Sequence, residues 1–167
     1  MERNNHHTME DNNTKNTVKP DGIDIIQVKE YNQLYYLIKK FNNAFTTPLS
    51  KRTNNLSSYS RKLHKNAMVY VVKKKRRILG FTAFYINDFN TYTAYGAIIA
   101  VIPKAQNQNI GQLLVEILIN ESKKRGMKRI KIEVEKHNEK AVYIYKKHGY
   151  KYLCDASDST IYMIKDI

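Results

Sequence analysis

The chain has 167 residues, 42% of them hydrophobic and 26% charged, the proportions of one soluble domain long enough to bury a core. No apolar run reaches the roughly 18–20 residues needed to cross a bilayer, and the N-terminus is too polar for a secretory signal. A single cysteine, Cys154, excludes an internal disulfide framework and a cysteine metal cluster, and suits a reducing, cytoplasmic setting. Lys and Arg outnumber Asp and Glu by 29 to 15, a net charge of +14. Such a field draws polyanions, whether nucleic acid, an acidic surface or a phosphorylated small molecule.

Residues 1–22 are rich in Asn and Thr and poor in aliphatic side chains, which predicts a disordered polar leader. The leader holds three basic and four acidic residues, so the positive field belongs to residues 23–167, expected to form one domain. Ile23–Val28 reads as a strand. Tyr31–Phe45 places Leu34, Leu37, Ile38 and Phe41 at helical spacing, and Thr46-Thr47-Pro48 should stop that helix. Asn55–Lys65 is a second, shorter helix. Ala67–Val72 and Ile78–Ile86 are strand-like runs joined by a basic hairpin tip, Lys73–Arg77, expected to be a solvated turn. Thr91–Val101 is a long strand closed by Pro103.

Gly111–Arg125 is an amphipathic helix with Leu113, Leu114, Ile117 and Leu118 on one face. Its last turn carries Lys123-Lys124-Arg125, and Gly126 suits the left-handed position that follows. Ile130–Val134 is a strand, and Asn138–Lys147 a helix with Asn138 at its cap and Gly149 past its end. Tyr150–Cys154 and Thr160–Ile164 close the chain as strands. This order predicts an α/β (α+β) fold with a mixed, mostly antiparallel sheet and about four helices.

The stretch from Val101 to Leu114 carries the first chemistry. A strand ends, the polar loop Gln106-Asn107-Gln108-Asn109 follows, and a helix opens at Ile110-Gly111-Gln112 with unpaired N–H groups. Those groups and the helix dipole favour an anion, phosphate above all. Gly111 lets backbone approach a ligand, and Asn107 and Asn109 tolerate positive φ better than most residues.

A second stretch runs from Glu133 to Tyr150. Together the two resemble the GNAT superfamily of N-acetyltransferases. That family's loop, Gln/Arg-x-x-Gly-x-Gly/Ala, stands here as Gln106-Asn-Gln-Asn109-Ile-Gly111. Its later signature of Asn, Ala, a hydrophobic residue, Tyr, Gly and Phe/Tyr stands as Asn138, Ala141, Ile144, Tyr145, Gly149 and Tyr150. Asn109 departs from the usual Gly, and a side chain there could crowd the pyrophosphate, so either Asn109 adopts positive φ or the affinity is reduced.

The resemblance implies a GNAT sheet whose parallel strand pair splays to receive acetyl-coenzyme A. It implies backbone contacts from Ile99, Ala100 and Val101, a pyrophosphate on residues 106–112, and a hydrogen bond from Asn138. It gives Tyr145 the role of protonating the departing thiolate. Glu133 stands five residues before Asn138. At that spacing the ribosomal-protein alanine acetyltransferases, which this segment resembles, have their proposed base, with Asp88 or a water chain as alternatives here. A base is needed because an amine of pKa near 10.4 is only about 0.04% neutral at pH 7, and only the neutral form attacks a thioester.

Alternation puts Lys131, Glu133 and Glu135 on one strand face, opposite Ile132 and Val134. Tyr143 is expected to fill core, as is Cys154 as a small hydrophobe. The five histidines show no metal spacing, and no metal is expected.

The reading is therefore an acetyl-coenzyme A-dependent transferase acting on a primary amine, as a monomer or homodimer. The acceptor is expected to be a small molecule rather than a protein, for example a nucleotide-linked amino sugar. Phe45–Tyr59, with Tyr85 and Asp88 nearby, should form its pocket. A non-catalytic coenzyme A-binding domain stays open as an alternative. So does a basic nucleic-acid-binding module, although no specific nucleic acid is expected.

Overall fold

The computed structural model describes residues 22–167; apart from Gly22, the expected leader lies outside them. Seven strands form one sheet in the order β1-β2-β3-β4-β5-β7-β6. They are β1 (Ile23–Gln27), β2 (Met68–Lys74), β3 (Arg77–Tyr85), β4 (Thr93–Val101), β5 (Arg129–Glu135), β6 (Lys151–Asp155) and β7 (Thr160–Asp166). Every neighbouring pair is antiparallel except β4 and β5. The helices are α1 (Tyr31–Lys40), α2 (Leu49–Arg52), α3 (Leu56–Asn66), α4 (Ile110–Lys124) and α5 (Glu139–Lys147).

Alternation along the strands divides the apolar side chains between the two sheet faces. Val69, Val71, Phe81, Ala83, Ile98 and Ala100 pack with Leu34, Leu37, Ile38 and Phe41 of the α1 segment and Leu63 of α3. Val72, Phe84, Ile130 and Ile132 pack with Leu114, Val115 and Leu118 of α4. Each fully buried leucine or isoleucine contributes roughly 1.5–3 kcal/mol relative to exposure, so both helical layers hold the central strands in place.

The feature that positions the site lies between β4 and β5. Their parallel pairing runs from Thr93 opposite Arg129 to Gly96 opposite Ile132 and goes no further. On the other side of β4, Ala83 pairs with Ile98 and Phe84 with Gly96, so Ala97 is the extra residue of a bulge. A bulge bends its strand and sharpens the local twist. Beyond it, Ala97–Val101 and Glu133–Glu135 face one another without ladder bonds, and the sheet opens into a wedge. Gly80 holds β3 close behind this edge, because a Cβ there would stand 2.6 Å from the Ala100 carbonyl oxygen.

The helix expected over Tyr31–Phe45 is shorter in the structure. It ends at Lys40, and a 3₁₀ turn (Asn42–Ala44) and α2 follow. The Asn42 side chain accepts the Ser50 N–H at 2.8 Å, a local bond that ties the segment to α2 instead of extending α1. Cys154 is exposed, against the expectation of burial. It lies on β6, the marginal strand, where every residue is exposed and the register slips between Tyr152 and Cys154. Tyr143 is likewise 65% exposed, against the expectation that it fills core: α5 buries only Tyr145.

Candidate active site

A cleft of about 570 Å³ occupies the wedge between β4 and β5. Its walls are the β4 edge from Gly96 to Val101, the β5 end from Glu133 to Glu135, the start of α4, and the inner face of α5. Every cofactor-binding candidate except Gln108 lines it: Ile99, Ala100, Val101, Gln106, Asn107, Asn109, Ile110, Gly111, Gln112 and Asn138. The Gln108 side chain turns away and donates to the Lys104 carbonyl at 2.9 Å. With Lys74, Lys75, Arg76, Arg77 and Lys104 it lines a separate basic cleft of about 450 Å³.

The loop opens α4 in a way that leaves donors free. Asn107 and Asn109 sit at φ 65° and 60°, the left-handed region that asparagine enters more readily than other non-glycine residues. Asn109 is the residue before α4, and its side chain does not cap the helix; its Oδ1 instead accepts from Gln112 Nε2 at 3.1 Å. The first N–H groups of α4 are therefore available to an anion, with the helix dipole behind them. From α5, Lys140 reaches the loop and Lys147 the first turn of α4, donating to Gln106 Oε1 at 3.3 Å and Gln112 Oε1 at 3.4 Å. Composition offered no sign of these two lysines, but their spacing of seven places them on one helical face.

Asn138 caps α5 by accepting the Ala141 N–H at 3.1 Å. That cap aims the helix so that Tyr145, 8% exposed, lines the cleft. The Tyr145 ring packs against Tyr150 with centroids 5.4 Å apart. Burial pushes its phenol well above the ordinary tyrosine range, and no charged neighbour offsets that rise. The hydroxyl is thus a stable proton donor.

Glu133 projects from the free end of β5. Thr160 Oγ1 donates to its Oε1 at 2.7 Å, and the Tyr95 hydroxyl lies 3.4 Å from its Oε2. Tyr95 stacks on Tyr85 at 6.5 Å, and the Lys131 ammonium lies over the Tyr95 and Tyr162 rings at 5.8 and 4.7 Å. Burial first, then the Glu133 carboxylate, raises the Tyr95 phenol. Glu135 is paired with Arg52 of α2, whose guanidinium also rests 5.4 Å from the centre of the Phe45 ring.

Phe45, Thr46 and Arg52 thus close one end of the cleft. Nearby Tyr59 is pushed up to about 12, by burial above all and by Tyr85 next. Asp88 stands apart. Its carboxylate accepts from the Asn90 and Thr91 N–H groups and from the Thr91 hydroxyl, bonds that hold it below the usual carboxylate range. It serves the β3–β4 turn.

Among the described residues, no group of three His, Cys, Asp or Glu side chains is arranged to hold a metal, and no helix is long and apolar enough to cross a membrane.

The model of the acetyltransferase (GNAT) family matches residues 31–150. The chain belongs to the GNAT family. Acetyl transfer is the general chemistry of this family, and its match spans both sides of the cleft. Solved structures show the same fold. The ribosomal-protein-S18-alanine N-acetyltransferase of Escherichia coli superposes with a TM-score of 0.69 at 20% identity, covering 87% of this chain and 94% of that one. A Salmonella typhimurium protein described as an acetyltransferase, solved with its cofactor acetyl-CoA, gives 0.65 at 16% identity and the same coverage. An N-acetyltransferase from Staphylococcus aureus Mu50 gives 0.65 at 16% identity, covering 86% of this chain and 98% of that one. No protein among those with curated descriptions matches the chain.

Proposed function

We propose that this GNAT protein transfers the acetyl group of acetyl-coenzyme A to a primary amine, and that Glu133 and Tyr145 serve the two ends of the reaction. The observation that carries this reading is their placement in one cleft, Glu133 at the end of β5 and Tyr145 on the inner face of α5. The cosubstrate, when bound, supplies an activated thioester. The residues around it fit such a molecule: an unpaired strand edge for an amide-bearing arm, uncapped helix N–H groups for a pyrophosphate, and Lys140 and Lys147 for further phosphate charge.

Glu133 takes a proton from the acceptor ammonium, so that the nitrogen lone pair becomes free to attack. Tyr145 donates a strong hydrogen bond to the departing thiolate; its burial-raised phenol holds the proton more tightly than the conjugate thiol, of pKa near 8.5. Asn138 holds the start of α5, and its amide nitrogen is free to meet the arm. Phe45, Thr46 and Arg52 border the acceptor's entry. The basic field supports an acidic small-molecule acceptor, for example a nucleotide-linked amino sugar.

Calorimetric titration with acetyl-coenzyme A, followed by a thiol-release screen over amino sugars, polyamines, amino acids and peptides, tests this function. Saturable binding with turnover of one amine class is expected. Binding without turnover of any class would leave only a coenzyme A-binding domain.

The placement of the pyrophosphate has its own test. A Cβ at Gly111 would meet only Ile144 Cδ1 at 3.4 Å and Val101 Cγ2 at 4.0 Å, ordinary contacts that the fold accepts. Gly111→Val adds two further methyl groups where the ligand approaches. Affinity for acetyl-coenzyme A should fall by about tenfold or more, roughly 1.4 kcal/mol, with an unchanged circular dichroism spectrum. Undiminished affinity would place the pyrophosphate elsewhere.

A further inference from the structure

Glu133 is held by Thr160, the first residue of β7, which Ser157 of the β6–β7 connection contacts in turn, and the bonds there have a forced direction. Ser157 Oγ accepts two backbone N–H groups, from Ser159 at 3.3 Å and Thr160 at 3.1 Å. A hydroxyl has two acceptor sites and one proton, so Ser157 has only its proton left to offer. The nearest acceptor is Thr160 Oγ1 at 2.7 Å, well inside the 3.4 Å to Ser159 Oγ. Thr160 Oγ1 therefore receives the Ser157 proton and must send its own outward. Its remaining neighbour is Glu133 Oε1 at 2.7 Å. The turn itself is pinned by Ala156 and Ser157 N–H groups donating to the Thr160 carbonyl.

We infer that Thr160 is a positioning residue for Glu133, oriented in turn by Ser157, and that the pair reserves Glu133 Oε2 for the acceptor. Oε1 is engaged by a short bond to a hydroxyl whose direction the turn dictates. Among the described residues, Oε2 has only the Tyr95 hydroxyl at 3.4 Å, a long contact that an incoming ammonium can displace. In the proton step, the acceptor's N–H bond breaks and an Oε2–H bond forms. The electron pair of the broken bond stays on nitrogen, and nothing is oxidised or reduced. The inference rests on the assignment of Glu133 as base and adds which of its oxygens works and what aims it. Register supports the geometry: Thr160 lies opposite Glu135 on β5, so it shares a sheet face with Glu133, two residues away.

The experiment compares Thr160→Val, Thr160→Ser and Ser157→Ala, each alone and combined with Glu133→Gln, using the fastest amine of the thiol-release screen. Valine keeps the shape and removes the donor, and serine keeps the donor. Thr160→Val should lower kcat about tenfold with the KM for acetyl-coenzyme A unchanged, whereas Thr160→Ser should stay within about twofold of the parent. Ser157→Ala, which frees the Thr160 hydroxyl to rotate, should fall between them. In the Glu133→Gln background, Thr160→Val should have almost no further effect, because a residue acting through Glu133 has nothing left to position. Full activity of Glu133→Gln alone would remove the base assignment and this inference with it. A slow Glu133→Gln beside a Thr160→Val at parental rate would overturn the inference alone. So would equal losses from Thr160→Val in both backgrounds, the mark of a merely structural role.

Discussion

Tyr145→Phe should reduce turnover by roughly 10²–10³, about 2.7–4 kcal/mol of transition-state stabilisation, the usual cost of losing one donor to a developing charge. The ring stays, so its packing against Tyr150 survives, and neither the unfolding midpoint nor acetyl-coenzyme A affinity should move appreciably. Burial raises the phenol's pKa, which favours the protonated form as pH rises. The wild-type enzyme should therefore show no loss of this donor through neutral and mildly alkaline pH. The measurement is kcat for both proteins across that range, beside a denaturant titration of each. Wild-type turnover in the phenylalanine variant would remove Tyr145 from the chemistry.

The second large effect belongs to the acceptor side, and its signature is a slope rather than a size. Glu133→Gln keeps an oxygen for Thr160 to bond but cannot take a proton. At pH 7 an amine of pKa near 10.4 is about 0.04% neutral, and at pH 9 about 4%. The variant should thus recover roughly a hundredfold of its deficit over those two units, as the acceptor deprotonates unaided. The ratio of wild-type to variant kcat against pH decides the matter. A ratio that stays level would mean that Glu133 does not act as the base. Asp88 would be a poor replacement, since its carboxylate oxygens already serve the Asn90–Thr91 turn.

Much of this arrangement was legible beforehand because its causes are local. The α4 stripe, the Asn138 cap and the left-handed Gly126 and Gly149 are short-range signals, and the strands, α3, α4 and α5 fall within about two residues of expectation. The family's two signatures marked the loop and α5 together. The errors share a different cause: each depended on what lies across space. Exposure of Cys154 follows from β6 being the last strand of the sheet, and strand order is not written in the spacing of side chains. The end of α1 was set by an Asn42 bond to Ser50. Thr160 reads as any strand-opening threonine unless β7 lies beside β5, and the bonds of Lys140 to the loop and Lys147 to the first turn of α4 need α5 docked over α4.

The position of Cys154 bears on how the enzyme must be assayed. The chain's one sulfhydryl is exposed on the outermost strand, open to the same disulfide reagents that would count liberated coenzyme A. Each polypeptide should therefore contribute one equivalent of signal that owes nothing to the acceptor, mimicking a stoichiometric burst. Replacing Cys154 by serine removes that false first turnover, and any burst that persists in the serine variant is genuine release of product.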